Sequence, residues 1–382
     1  MFSPVRKCFR LIDQWLFKLL VAKFTRGHNA VPSLDATASA ETVLLFKPDG
    51  IGDFILWTEV LKEFAARYRK ARITIFCCAP VGELVRAMFP DWQTIEISKR
   101  PSSNFEFICK SLKGKTLRQA KAYDLLVDLR VHRGEWELLA IAMLKADCKT
   151  GFASSCPNLR KYDHLIFNNL LNADLLLSTD PRFSRCHEVK VVESFFSQFW
   201  AANRAIPLPD LHSYFADSRK EFPTGHRTQN SQPLIVVHPG SGNASKNWPP
   251  INWLNLTKHL LQHDFRYRVA VVAGKLDINS IASLGILSHE QQVEWWYALP
   301  LPELASRLAD ATLFIGHDTG VSHLAAAVGI PSLVLFGPTD PAVWAPPHAN
   351  VRTLRAPEGK LDDLSFREVL AAVSAFPNLR IP

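Results

Sequence analysis

Between Phe314 and Pro341 the chain reads FIGHDTGVSHLAAAVGIPSLVLFGPTDP, and this stretch confines it to an α/β fold. Phe314 and Ile315 end an apolar run, and His317-Asp318-Thr319-Gly320 is a polar turn of cap-type residues. Val321 to Val328 is small and apolar, with a single histidine, while Gly329 suits a helix C′ position and Pro331 blocks continuation. Ser332 to Phe336 then reads as a buried strand, closed by the turn Gly337-Pro338-Thr339-Asp340-Pro341. The spacing predicts strand, turn, helix, strand. In such a βαβ unit the helix N-terminus, with free N–H groups and a positive dipole, points into the crevice at the carboxyl ends of the strands. A phosphate fits there; an ordinary capped crossover without a ligand fits the spacing equally well.

The same alternation runs through the chain twice. Thr42–Phe46 is a strand followed by the loop Lys47-Pro48-Asp49-Gly50-Ile51-Gly52-Asp53 and a helix with Phe54, Trp57, Leu61, Phe64 and Tyr68 on one face. Strands at 72–77, 94–97 and 124–129 and helices at 81–89 and 135–144 continue it, and 187–200 closes the first half as a helix. Three prolines between 207 and 223 and the hydrophilic run 225–232 mark a boundary. Beyond it, Leu234–Val237 restarts the pattern, followed by His238-Pro239-Gly240-Ser241-Gly242-Asn243 and Lys246-Asn247-Trp248-Pro249. Strands alternating with helices imply parallel sheets covered on both faces. The expected organisation is a helix and linker over 1–40, an acceptor-side Rossmann-like domain over 41–205 and a linker over 206–232. A donor-side Rossmann-like domain over 233–364 follows, then a closing helix over 365–382 that packs back on the first half. Two such domains are expected to face a central cleft.

Charge is unevenly spread. The chain has a formal net charge of +8, and residues 1–30 hold Arg6, Lys7, Arg10, Lys18, Lys23 and Arg26 against Asp13 alone. Over residues 4–26, Val5, Phe9, Ile12, Leu16 and Leu19 fall at helical spacing, with Trp15, Leu20 and Phe24 widening the stripe. Its charges interrupt any membrane span or signal peptide. Two readings are open: a basic helix lying on the anionic inner face of the cytoplasmic membrane, or a helix docked on its own domain. Nucleic acid is a poor fit, because the excess charge sits on one amphipathic helix without interleaved exposed aromatics. Seven cysteines without CxxC spacing indicate a reduced, cytoplasmic chain without a structural zinc site.

The residues suit group transfer from a nucleotide-activated donor. Gly240, Ser241 and Gly242 let backbone N–H groups approach a phosphate, Lys246 adds a point charge, and the helix starting near Gly320 adds donors and a dipole. Asp318 would repel a phosphate and is better placed on sugar hydroxyls, or as a cap. His323, one turn beyond Thr319, is divided between a diphosphate contact and plain packing. Asp53 is the candidate general base for an attacking hydroxyl, with a helix N-cap at Phe54 as its structural alternative. Gly52 lies beside it, and Arg130 and Arg133 follow a strand at the same sheet edge, where they would meet an anionic acceptor or form a solvated basic loop. No DxD triplet and no ligand-spaced His/Cys cluster occurs, so no cofactor or metal is expected; magnesium riding on a substrate diphosphate stays open.

Three motifs in order carry a resemblance: Lys47-Pro-Asp-Gly-Ile-Gly-Asp53; His238-Pro-Gly-Ser-Gly with Lys246-x-Trp248-Pro249; and Asp318-Thr-Gly-x-Ser-His323. Together they resemble glycosyltransferase family 9, the bacterial heptosyltransferases. That resemblance implies a GT-B fold and inverting displacement at the anomeric carbon, with Asp53 as base and Lys246 on the nucleotide diphosphate. It also implies ADP-L-glycero-D-manno-heptose as donor, and as acceptor the lipopolysaccharide inner core at the cytoplasmic face of the inner membrane. His317 stands where that family commonly has asparagine, and the basic N-terminal helix is absent from its shorter members. A GT-B sugar-nucleotide epimerase and a non-catalytic, membrane-associated sugar-nucleotide sensor are the alternatives. The membrane helix argues against the first, the retained Asp53, Lys246 and Asp318 against the second.

Overall fold

The structure is a computed structural model. It describes residues 4–24, 39–98, 101–113, 122–130, 132–153, 157–167, 169–171, 187–202, 204–215, 232–262 and 267–377. Most of the linker expected over 27–40, and 216–231 of the one expected over 206–232, lie outside them. In chain order the elements of the first half are α1 (Pro4–Phe24), β1 (Thr42–Phe46), α2 (Ile51–Leu56), α3 (Thr58–Arg67), β2 (Arg72–Cys78), α4 (Ala79–Met88), β3 (Gln93–Ile97) and α5 (Asn104–Lys113). There follow β4 (Tyr123–Asp128), α6 (Glu135–Met143), β5 (Ala146–Phe152), α7 (Pro157–Ile166), β6 (Asn169–Leu171), α8 (Glu188–Phe199) and α9 (His212–Phe215). The second half holds β7 (Leu234–His238), α10 (Pro250–Gln262), β8 (Arg268–Ala273), α11 (Ile278–Ile281), β9 (Val293–Tyr297) and α12 (Leu301–Leu308). It ends with β10 (Leu313–His317), α13 (Gly320–Ala327), β11 (Ser332–Phe336), α14 (Pro341–Trp344), β12 (Val351–Arg355) and α15 (Phe366–Ser374).

Two six-stranded sheets result, in the orders β3-β2-β1-β4-β5-β6 and β12-β11-β10-β7-β8-β9. All strand pairs are parallel. Each sheet therefore repeats the doubly wound pattern, with a switch point between β1 and β4 in the first and between β7 and β10 in the second. The central strands are continuous apolar runs because helices cover both of their faces: β10 and β11 are buried at all five positions. Loops leaving β7 and β10 at their carboxyl ends thus converge on one crevice of the second sheet, which is where the sequence puts its phosphate motifs.

Contacts divide the chain into two compact units: Met1–Asp49, Val60–Cys186 and Lys190–Ile206 form one, and Gly50–Glu59, His187–Val189 and Pro207–Pro382 the other. The division departs from contiguous domains at α2. That helix packs on α13 because neither Gly52 nor Gly320 carries a Cβ. A Cβ on Gly320 would lie 2.6 Å from the Ile51 Cβ and 3.1 Å from the Gly52 nitrogen, and one on Gly52 would lie 2.8 Å from the His323 ring. His187 joins the same unit through its Nε2, 2.8 Å from the Ala345 carbonyl. α15, capped by the reciprocal Ser365–Glu368 box, packs on α10 and buries Val369, Val373 and Phe376 in the second unit's core with Trp253 and Leu256.

The first unit's core is built on Phe46 stacked on Phe76 at 4.8 Å, and Phe17 and Val21 of α1 are buried in it. α1 is held at a second point by Asp13, whose carboxylate accepts from the Asn104 and Phe105 backbone nitrogens at 3.1 and 2.8 Å, at the start of α5. No helix among the described residues is long and apolar enough to cross a membrane.

Candidate active site

The second unit's switch point gathers the donor-side residues. Lys246, in the single 3₁₀ turn Ala244–Lys246, donates to the Asp318 Oδ2 at 2.6 Å, and Thr339 donates its hydroxyl to the same oxygen at 2.8 Å. Asp318 is therefore not a helix cap. Thr319 is the N-cap of α13, but its side chain makes no cap bond, so the first-turn N–H groups have no side-chain acceptor there. Its hydroxyl lies 3.4 Å from the His238 Nδ1, and the other ring nitrogen of His238 lies 3.7 Å from the Asp277 carboxylate. Burial works to raise the Asp277 carboxyl, but the His238 ring and the Gly274 N–H outweigh it and hold the carboxyl below its ordinary range.

Of the two loop glycines only one is forced. A Cβ on Gly240 would sit 2.1 Å from the Asp277 Cγ, whereas one on Gly242 meets nothing within 4 Å. Ser241 folds its hydroxyl back onto the Asn243 carbonyl at 2.7 Å and the Asn247 Oδ1 at 2.6 Å, which fixes the loop from inside. His238, Asp277 and Thr339 were not singled out from the sequence. His238 was findable, as the last residue of a strand at the switch point, and Thr339 lies in the turn 337–341 that the sequence marks; Asp277 arrives from the loop after β8 and had no local signal.

His317 is fully buried. Its Nε2 accepts from the Trp248 backbone nitrogen at 2.8 Å, and Trp253 meets the ring edge-to-face at 5.3 Å. The histidine thus ties the end of β10 to the segment after Lys246, holding the two donor loops in register. Burial pushes the His317 ring down to about 3, with His238 adding to it. Burial likewise pushes His323 down to about 4, and its Nδ1 has no hydrogen-bond partner among the described residues. Both rings are neutral at pH 7. A histidine held neutral on folding but protonated when unfolded gives stability that is present above pH 6.5 and lost as the pH falls toward the folded value. The unfolding free energy read from urea titrations is expected to fall between pH 6.5 and 4, by about 1.4 kcal/mol per pH unit for each histidine. His317→Gln should flatten that acid slope; an unchanged slope in this variant would show that other groups carry it.

Asp53 occupies the third position of α2, within its first turn, and the N-cap is Gly50. The helix begins at Ile51, so the capping alternative for Asp53 falls. Gly52 and Gly320 set how closely this turn approaches α13. Gly320→Ala is expected to force the two helices apart and cost about 1–3 kcal/mol, read as a lower urea midpoint. Retained stability in Gly320→Ala would show that α2 can shift freely.

Arg130 and Arg133 lie at the first sheet's switch point and are only 5% exposed each. The Arg130 nitrogens reach Asp49 at 3.0 Å, Glu137 at 2.8 Å and the His132 carbonyl at 2.8 Å. Those of Arg133 reach Asp128 at 3.1 Å, Asp163 at 3.4 Å and the Arg130 carbonyl at 2.7 Å. Both terminal nitrogens of each guanidinium are hydrogen-bonded or ion-paired within the protein, and the Arg133 Nε lies 3.1 Å from the Asp128 carboxylate as an ion pair without a hydrogen bond. The two arginines form neither a solvated basic loop nor a pair of open anion receptors; Arg130 anchors Asp49, which also pairs with Lys47 at 2.9 Å, while Arg133 ties Asp128 to Asp163. Among the described residues no group of three or more His, Cys, Asp or Glu could hold a metal ion.

Two doubly wound parallel sheets, with glycine and lysine loops at the second sheet's switch point, give the α/β architecture of the GT-B class. The particular family follows from comparison. Residues 174–372, just over half the chain, match glycosyltransferase family 9 (heptosyltransferase), and the chain belongs to that family and is a glycosyltransferase. It is similar to lipooligosaccharide heptosyltransferase 2 of Haemophilus influenzae, 22% identical over 84% of this chain and 90% of that one. Its fold is shared with the E. coli heptosyltransferase WaaC with ADP, at a TM-score of 0.63 and 18% identity over 87% of this chain and 99% of that one. The same TM-score, at 19% identity and the same coverage of each chain, relates it to WaaC with ADP-2-deoxy-2-fluoro heptose.

Proposed function

We propose that the chain transfers a heptose from ADP-L-glycero-D-manno-heptose to an inner-core acceptor of lipopolysaccharide, with inversion at the anomeric carbon. The observation that carries this reading is the 2.6 Å contact of Lys246 with Asp318, next to the uncapped N-terminus of α13. Lys246 has three donor hydrogens and spends one on Asp318, leaving others for the donor diphosphate. The backbone around Gly240, Ser241 and Gly242 and the first N–H groups of α13, from Thr319 and Gly320 on, face the same charge; His323 adds a neutral ring. Asp318 is the acceptor for donor-sugar hydroxyls.

In the reaction the acceptor hydroxyl oxygen bonds to the anomeric carbon and its proton passes to Asp53. The bond from that carbon to the β-phosphate oxygen breaks, and ADP leaves with the electron pair, its charge met by Lys246 and the α13 dipole. Gly52 keeps the turn carrying Asp53 slim enough for this approach. Arg130 serves the acceptor side through Asp49 and the Lys47–Asp53 loop, and Arg133 holds the Arg130 carbonyl from behind. Magnesium carried on the diphosphate is compatible with this arrangement. The names of the relatives support the donor and acceptor classes, and a lipid-linked acceptor would place the reaction at the cytoplasmic face of the inner membrane.

Thermal shift with ADP-, UDP-, GDP- and dTDP-sugars tests the donor. ADP-heptose is expected to give the largest stabilisation. Preference for another nucleotide would remove the proposed donor, and isomerised sugar from donor alone would turn the reading into an epimerase.

A further inference from the structure

α1 is both docked and amphipathic, and its outward face is unlike the rest of the surface. At about 100° per residue, Leu11, Ile12, Trp15 and Leu19 share an arc of roughly 100°, opposite Phe17 and Val21. The latter are buried, while the four outward residues are 60, 60, 61 and 50% exposed. Phe105, at the start of α5, is 62% exposed and lines one groove with Ile12, of about 660 Å³. Two elements of one unit therefore present large apolar side chains together, and Asp13 fastens them to each other through the Phe105 N–H.

Charge completes the picture. Asp13 is the only acid of α1, and its carboxylate is turned inward onto α5. Arg10, Lys18 and Lys23 are exposed, and Lys18 and Lys23 fall on opposite edges of the apolar arc. An apolar strip bordered by lysines, with no outward acid on the same helix, matches a bilayer interface: rings and leucines enter the acyl boundary, and lysine stems reach up to anionic headgroups. A protein partner would need a matching acidic rim around an apolar slot, and nothing in the patch selects for one.

We propose that the α1–Phe105 face docks the protein on an anionic bilayer as a rigid part of the first unit. The proposal does not depend on the donor or acceptor assigned above, and its test reads lipid binding alone. The full-length protein is sedimented with vesicles of neutral phosphatidylcholine, and with the same vesicles containing phosphatidylglycerol. Binding is expected only to the anionic vesicles, weakening with added salt. The exposed-residue variants Trp15→Asp and Phe105→Asp should each abolish sedimentation with an unchanged urea midpoint. Lys18→Gln should weaken binding by roughly fivefold, the loss for one charge near an anionic surface. Absence of vesicle binding by the wild type, equal binding to neutral vesicles, or undiminished binding by Trp15→Asp and Phe105→Asp would each overturn the proposal. So would a concentration-dependent dimer broken by the same substitutions, since a second copy would then cover the face.

Discussion

Asp53→Asn is expected to reduce heptose transfer by about a hundredfold to ten-thousandfold while leaving affinity for the nucleotide-sugar nearly intact. The amide is isosteric but cannot take the acceptor proton, so the loss should fall on turnover. Asp53 stands in the first turn of α2, whose N-cap is Gly50. Equal urea midpoints for the two proteins are the control. Single-turnover rates at saturating donor and acceptor provide the measurement, and a rate within a few-fold of wild type would leave the mechanism without its base. The companion Asp53→Glu moves the carboxylate by a methylene and should recover part of the rate, which a merely structural role for Asp53 would not produce.

Lys246→Ala is expected to weaken stabilisation of the departing diphosphate by about 1.5–3 kcal/mol, the range for a charged hydrogen bond. That is roughly tenfold to a hundredfold in kcat/KM. Two effects compete in this variant. Losing the ammonium removes a donor to the phosphates, and it also frees the Asp318 carboxylate, which Thr339 alone then holds. The freed carboxylate adds repulsion, so the loss should lie toward the upper end of the range. Lys246→Ala combined with Asp318→Asn separates the two: partial recovery of ADP affinity in the double variant would assign the excess to repulsion. Wild-type ADP affinity and rate in Lys246→Ala would remove the lysine from the donor site.

Much of this architecture was legible in the residues. The apolar runs at 42–46, at 234–237 and ending at Ile315 became β1, β7 and β10, the central strands next to the switch points, and the glycine and lysine motifs fell on the loops that follow. Strands with less apolar character escaped. β5 reads ADCKTGF, and its Lys149 is buried, with Nζ donating to the Ile141 carbonyl at 2.8 Å, near the end of α6. β12 reads VRTLR and has no buried position, as an edge strand allows. Arg130 and Arg133 read as available cations, because nothing local announces that Asp49, Asp128, Glu137 and Asp163 surround them.

What the residues determined by themselves were the repeated βα alternation, its parallel sheets, and the types of side chain delivered to each strand's carboxyl end. Hydrophobic period and turn chemistry are local, so they can be read in order along the chain. Tertiary structure alone decided that α2 belongs with α13, that Asp277 and His238 back the Gly240 loop, and that α15 stays with the second sheet. It also decided that α1 is docked by one face while offering the other. These outcomes depend on atoms far apart in sequence meeting within a few ångströms, where a missing Cβ or a paired carboxylate settles what fits, and no window of neighbouring residues contains that information.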